Sequence, residues 1–233
     1  MSTSTADSTL HGDEKAGSFR TAPACTSTST ADSTKYGEKI APSGSLGVAI
    51  VHATSASSDD ILSWTCEDPR ESQLFNSWGV QYRFETAANV NGKSVTTLWR
   101  MIRPNKEDRV AKFEWSSSGG LGRITIGKNI APMADLVRVD SSIQGARAFQ
   151  GPDGSTYRWR PSTTNTDILL QDSNRDVIAF FRPTKRTRYQ IGDVYGELHF
   201  LRNAGAGTVM HPPMMDAVTV TAMLYQFCTA RNL

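Results

Sequence analysis

The chain has 233 residues, with 25 Lys and Arg against 23 Asp and Glu and a formal net charge of +2. That near-balance excludes the strongly basic footprint of a nucleic-acid binder, and no basic stripe with interleaved aromatics offsets it. Cys25, Cys66 and Cys228 are widely spaced and include no C-x-x-C pair, which excludes a zinc or dithiol framework, and no apolar run approaches the roughly 20 residues of a membrane-spanning helix.

Residues 1–60 differ from the rest. They carry four Lys/Arg and seven Asp/Glu, a net of −3, which leaves +5 for the remainder. They hold one Phe (Phe19), one Tyr (Tyr36) and no Trp, whereas all five Trp lie between Trp64 and Trp159. A segment so poor in large apolar groups cannot offset its ordering entropy by burial. The expectation is a disordered Ser/Thr-rich tail over 1–45, a linker or edge segment over 46–60, and one domain over 61–233. Within the tail, Ser2–Thr9 recurs as Ser27–Thr34, both reading STSTADST. Two polar copies offer no apolar face to stack, so the repeat reads as a duplicated linker, and its dense hydroxyls also suit phosphorylation. Ser45–Val51 is a short apolar island expected to dock on the domain edge. The N-terminus shows no apolar signal-peptide core and the chain has no N-x-S/T sequon. With the odd cysteine set, these features point to a reducing, cytoplasmic location.

From Ile61 onward, short apolar runs punctuated by turn residues predict strands. They are Ile61–Cys66, Val80–Thr86, Val95–Arg103, Val110–Trp115, Arg123–Ile126, Leu136–Val139, Ala146–Phe149, Thr156–Arg160, Ile168–Gln171, Val177–Arg182, Tyr189–Ile191 and Gly196–Leu201. Val80–Thr86 alternates apolar and polar as a half-buried strand does. Asn91-Gly92 and Gly151-Pro-Asp-Gly154 supply the residues that hairpin turns need. About a dozen strands at this spacing predict a sandwich or barrel.

The C-terminus breaks the pattern. After His211-Pro-Pro213, the stretch Met214–Ala230 has no charge between Asp216 and Arg231, and at helical spacing its apolar groups cover nearly the whole circumference. Such a helix must be buried on all sides. Val218-Thr-Val-Thr221 has strand propensity, but the length and the prolines at the start favour helix. A fully apolar helix after a dozen strands predicts a helix enclosed by a barrel.

Several blocks carry a resemblance: Tyr82-Arg-Phe-Glu-Thr86, Thr96-Thr-Leu-Trp-Arg100, Val110-Ala-Lys-Phe-Glu-Trp115, Asp153-Gly-Ser-Thr-Tyr-Arg-Trp159, Val177-Ile-Ala-Phe-Phe-Arg182 and Asp216-Ala-Val-Thr-Val-Thr-Ala-Met-Leu224. Over roughly 61–232 the chain resembles a fungal, mainly basidiomycete, family of unknown function related to the tubby C-terminal, LURP-one and phospholipid-scramblase barrels. The resemblance implies an about twelve-stranded tubby-like β-barrel enclosing a C-terminal apolar α-helix.

No catalytic motif is present: there is no G-x-S-x-G elbow and no H-E-x-x-H. Glu197 and His199, two apart on one strand face, have the chemistry of a base and its orienter or of two metal ligands, but a third ligand is missing, so they read as structural. Gly119-Gly-Leu-Gly122 and Gly205-Ala-Gly207 read as turns rather than phosphate loops, and Cys228 as inert packing. The best polar candidate is basic. Arg182-Pro-Thr-Lys-Arg-Thr-Arg188 sets Arg182, Lys185, Arg186 and Arg188 within seven residues, and Arg158 and Arg160 share one strand face. Cations so arranged hold phosphate by charge-assisted bonds. The expected function is a non-enzymatic, peripheral membrane or anionic-lipid (phosphoinositide-like) binding module, using no cofactor or metal and no nucleic acid. A small-molecule pocket protein or enzyme at a barrel mouth, and an interaction scaffold, are the alternatives.

Overall fold

A computed structural model of the chain describes residues 59–88, 93–189 and 192–233. Among the described residues, the first seven strands are β1 (Asp59–Trp64), β2 (Gln73–Asn76), β3 (Gly79–Ala88), β4 (Ser94–Arg103), β5 (Lys106–Glu114), β6 (Arg123–Ile126) and β7 (Asn129–Pro132). A short 3-10 turn, Met133–Leu136, leads to β8 (Arg138–Val139), β9 (Arg147–Gln150), β10 (Thr156–Pro161), β11 (Ile168–Gln171), β12 (Val177–Tyr189) and β13 (Gly192–Leu201). One long helix follows, α1 (Met214–Arg231).

The fold is mainly β. All thirteen strands belong to one sheet, ordered β7-β6-β5-β4-β3-β2-β1-β13-β12-β11-β10-β9-β8. Every ladder is antiparallel, and β13 pairs with β1 from Asp59↔Leu201 to Trp64↔Gly196. The chain thus meanders out to β7, crosses to the opposite edge at β8, and meanders back to β1. The ladder itself is open, with β7 and β8 as its edges. Only Met133–Val137 separates those edges in sequence. Six residue steps from Pro132 to Arg138 span at most about 22 Å, whereas thirteen strands laid flat would be roughly 58 Å wide. The sheet must therefore curl strongly on itself.

The concave side of that curl is filled by aromatics and by α1. Phe181, Trp64, Phe84, Phe113, Trp115 and Phe227 form a chain of ring contacts, with centroids 5.7, 5.8, 6.2, 6.1 and 4.2 Å apart. The chain runs from β12 through β1, β3 and β5 to the helix. Gly196 belongs to this packing, because a Cβ there would lie 2.2 Å from the Phe181 ring. Along α1, all eight residues from Val218 to Tyr225 are buried. Eight residues make more than two turns, so every side of the helix is covered, as its unbroken apolar composition predicts.

Both halves of the sheet touch α1. From one half, the Tyr82 hydroxyl donates to Asp216 at 2.7 Å and Arg100 donates to the same carboxylate at 2.5 Å. From the other, Trp159 Nε1 donates to Thr221 Oγ1 at 3.0 Å. The Tyr225 hydroxyl reaches the Gly145 carbonyl at 2.8 Å. The strand-like Val218-Thr-Val-Thr221 stays helical because its hydroxyls have helical partners: Thr219 and Thr221 donate to the carbonyls of Met215 and Ala217. The helix stops where Asn232 adopts a left-handed φ of 52° and Leu233 N–H returns to the Cys228 carbonyl, a Schellman-type ending.

Most expected strands are present, several with different bounds. Gln73–Asn76 and Asn129–Pro132 are strands that the sequence pattern misses, so the count is thirteen rather than twelve. Leu136–Val139 is strand only at Arg138–Val139, because Leu136 closes the preceding 3-10 turn and Val137 follows it. Tyr189 is not the start of a separate strand but the end of β12. β1 begins at Asp59, inside the segment expected to be a linker. The Gly151–Gly154 turn forms as expected, with Gly154 at a φ of 81°. The Asn91-Gly92 hairpin, the 1–45 tail and the 45–51 island lie outside the described residues.

Candidate functional site

The six candidate cations sit on two parts of one surface. On β10, Tyr157 and Trp159 point inward and are buried, so strand alternation sends Arg158 and Arg160 outward. Arg158 Nε lies 2.5 Å from Asp140 Oδ2, and Arg160 Nε donates to Gln171 Oε1 at 2.7 Å. On β12, Arg182 makes a two-pronged contact with Asp167, at 3.0 and 2.9 Å, and its guanidinium lies 5.0 Å from the Phe180 ring centre. The hydrogen bond from Arg182 holds the Asp167 carboxyl below the usual carboxylate range, against the opposing effect of burial.

The other three cations lie on a projecting arm. β11 pairs with β12 only as far as Phe181, and β1 pairs with β13 only as far as Gly196. Among the described residues, β12 and β13 beyond those points have only each other as strand neighbours, out to Tyr189↔Gly192. A break in register between Pro183 and Thr187 sets three residues of β12, Thr184–Arg186, against one of β13, Tyr195, and bends the arm. Lys185, Arg186 and Arg188 are exposed along it. Arg186 donates to Asp193 Oδ2 from Nε and Nη2, at 2.9 and 2.5 Å. Arg188 stands opposite Asp193 in the ladder, but that carboxylate is engaged by Arg186. Among the described residues, Lys185 and Arg188 have no carboxylate partner.

The arm borders a groove of about 560 Å³. Its walls include Thr65, Phe75, Asn76, Ser77, Gly79 and Tyr189, so the end of β12 and the turn between β2 and β3 line the same depression. Between Ser77 and Gly79 stands Trp78, 86% exposed. The Asn76 side chain accepts the Trp78 backbone N–H at 2.9 Å, and Gly79 takes a φ of 107° that only glycine adopts without strain.

A family model matches residues 67–226 and is described as a family of unknown function, DUF6593. The chain belongs to the DUF6593 family. The match contains all six cations, Trp78 and Tyr189, and it ends inside α1. No curated protein and no solved structure matches the chain.

Elsewhere in this DUF6593 chain, Glu197 and His199 do meet, with 3.1 Å between Oε2 and Nε2. Phe180 stacks on the imidazole with centroids 4.2 Å apart and planes 12° from parallel. Only 6% of the His199 side chain is exposed, and neither Glu197 nor His199 lines the groove beside the arm. A second, shallower groove of about 460 Å³ lies against the end of α1 and is lined by Asp68, Phe227 and Arg231 among others. There Arg70 pairs with Asp68 at 2.6 Å and lies over the rings of Trp115 and Phe227. Among the described residues no three His, Cys, Asp or Glu side chains gather as metal ligands, and no helix is long and apolar enough to cross a membrane. Cys228 is buried, and its surroundings push the thiol pKa up, which suits the packing role expected of it.

Sequence reasoning finds the cations but misses their partners and the aromatic neighbours. Asp140, Asp167 and Asp193 reach the arginines through strand register, which no local pattern reveals. Trp78 carried a signal: Asn76-Ser-Trp-Gly79 puts two turn formers around a tryptophan between short apolar runs.

Proposed function

We propose that this protein is a non-enzymatic, cytoplasmic module that meets anionic membrane surfaces peripherally, with the β12–β13 arm as the contact. The observation that carries this reading is the arm itself, where three cations face one carboxylate and Lys185 and Arg188 project into solvent beyond the rest of the sheet. The net +5 charge outside residues 1–60 adds a supporting field. Arg158 and Arg182, already balanced by Asp140 and Asp167, contribute less, while Arg160 keeps its charge beside neutral Gln171. The same reading takes the curled sheet as a tubby-like barrel around α1. It is supported by the short link between β7 and β8 and by contacts to the helix from both halves of the sheet.

Each cation near a charged leaflet contributes about 1 kcal/mol. Lys185 and Arg188 together then give about 2 kcal/mol, roughly thirtyfold in affinity, and this gain weakens with salt because exposed charges are screened. The test is co-sedimentation with phosphatidylcholine vesicles, with and without phosphatidylserine or a phosphoinositide. The wild type is compared with a Lys185→Ala, Arg186→Ala, Arg188→Ala triple variant. Preferential pelleting with anionic vesicles, lost in the triple variant, is expected. Equal pelleting with neutral and anionic vesicles, or an unaffected triple variant, would remove the reading. The groove would then be the next place to look, since its volume falls in the range of small-molecule sites.

A further inference from the structure

We infer that Trp78 and Tyr189 form an aromatic anchor that enters the headgroup zone of an anionic bilayer while Lys185 and Arg188 contact its phosphates. This inference rests on the membrane reading above and names how the contact is made.

The argument starts from an anomaly of burial. Among the described residues Trp78 is the most exposed large hydrophobic side chain, at 86%, and Tyr189 is 48% exposed. Large aromatics contribute most when their surface leaves water, so a tryptophan left almost fully solvated at a hairpin tip gains little from the described residues. It is also held there. The Asn76 side-chain bond and the Gly79 conformation fix the turn that presents it, so little ordering remains to be done on contact.

The neighbourhood selects the partner. The turn that carries Trp78 and the Tyr189 ring border one groove, and Tyr189 is followed back along β12 by Arg188, Arg186 and Lys185. Tryptophan and tyrosine concentrate at membrane–water interfaces, where an apolar ring body and a polar N–H or O–H are both satisfied, and basic side chains at that level are attracted to anionic headgroups. The other strongly exposed apolar residues, Ile130 at 69% and Val139 at 75%, lie on β7 and β8 at the open sheet edges. Charge complementarity therefore favours an anionic bilayer as the occupant of the Trp78 surface.

The two forces separate experimentally. The full chain is pelleted with phosphatidylcholine–phosphatidylserine vesicles at about 0.1 M and about 1 M salt, where the screening length falls from about 10 Å to about 3 Å. The arms are the wild type, Trp78→Ala, Trp78→Phe and a Lys185→Ala, Arg188→Ala pair, each checked by circular dichroism. Trp78 touches little of the fold, so its variants stay folded. In wild type a fraction of the binding persists at high salt. Trp78→Ala lowers affinity roughly ten- to fiftyfold, as expected from withdrawing about a third of a tryptophan surface from water, and loses the salt-resistant fraction. Vesicles with brominated acyl chains quench wild-type fluorescence, and Trp78→Phe removes most of that quenching, because Trp64, Trp115 and Trp159 are buried in the core and the fifth tryptophan, Trp99, is half-buried on β4. If Trp78→Ala binds like the wild type and brominated lipid does not quench, the anchor is refuted while the arm reading stands. If the wild type binds no anionic vesicle, both fall. If the wild type but not Trp78→Ala pellets without vesicles, Trp78 serves contact with a second copy and the bilayer inference is overturned.

Discussion

Leu224→Ala is the sharpest test of the enclosed helix. Leu224 has no exposed surface and lies within the buried run Val218–Tyr225 of α1. The substitution removes three carbons, about 2.4 kcal/mol at about 0.8 kcal/mol per buried CH2. The neighbours approach from all sides and cannot all collapse into the space, so a cavity penalty adds to this, for a total of about 3–5 kcal/mol. In a domain of this size, where each kcal/mol shifts the midpoint by about 2–4 °C, the expected fall in Tm is roughly 6–20 °C. The assay is thermal and urea unfolding followed by tryptophan fluorescence, with Ala230→Ser as control. Ala230 is exposed near the end of the same helix, and its variant should stay within about 0.5 kcal/mol of wild type. A Leu224→Ala loss below about 1 kcal/mol would show that this helix lies against the sheet on one side only, and would refute the argument from eight consecutive buried residues.

Two further outcomes follow from the buried polar groups. Asp216→Ala should cost about 2–4 kcal/mol, because it strands the Tyr82 hydroxyl and leaves Arg100 with only its longer contact to Asp108, at 3.5 Å. Adding Tyr82→Phe should recover part of that loss, and a double variant no more stable than Asp216→Ala would contradict it. Asp167 gives a pH signature. Its folded pKa lies below the ordinary 3.8, through Arg182, so its contribution is complete above the unfolded pKa and is lost as pH falls through the folded value. Tm should therefore drop from about pH 5 downward, and Asp167→Asn should flatten that acid limb measurably. Identical acid limbs in the two proteins would show that the Asp167–Arg182 contact carries no stability.

How much of the fold could be read from the sequence depended on which faces are buried. Val80–Thr86 was readable because Tyr82 and Phe84 point into the core while Arg83 and Glu85 face outward, and a one-sided burial imprints a period of two. The helix was readable because an enclosed helix needs no polar stripe. β2, with four residues, was too short to show a period, and in β7 all but Ala131 are exposed, so there is no buried face to record. β12 makes the same point within one strand. Its first six residues, three of them buried, were recognised as an apolar run, while Pro183–Arg188 read as a loop. That stretch is strand in the arm, but neither of its faces meets the core, so nothing in its residue order distinguishes it from a loop.

The candidate site was legible to the extent that it depends on neighbours in sequence. The Glu197–His199 contact is a same-face pair two residues apart, which strand geometry fixes in advance, and the density of cations from Arg182 to Arg188 is a property of composition. What each cation does is decided by residues far along the chain. Asp167 neutralises Arg182 from fifteen positions away, and Asp193 captures Arg186 across a register break. A seven-residue basic run thus resolves into one arginine spent on the sheet, one spent on bracing the arm, and two charges presented to solvent beside an aromatic groove. Among the described residues, those two charges and Trp78 are groups that the fold leaves exposed without a carboxylate or apolar partner, and such groups define an interaction surface.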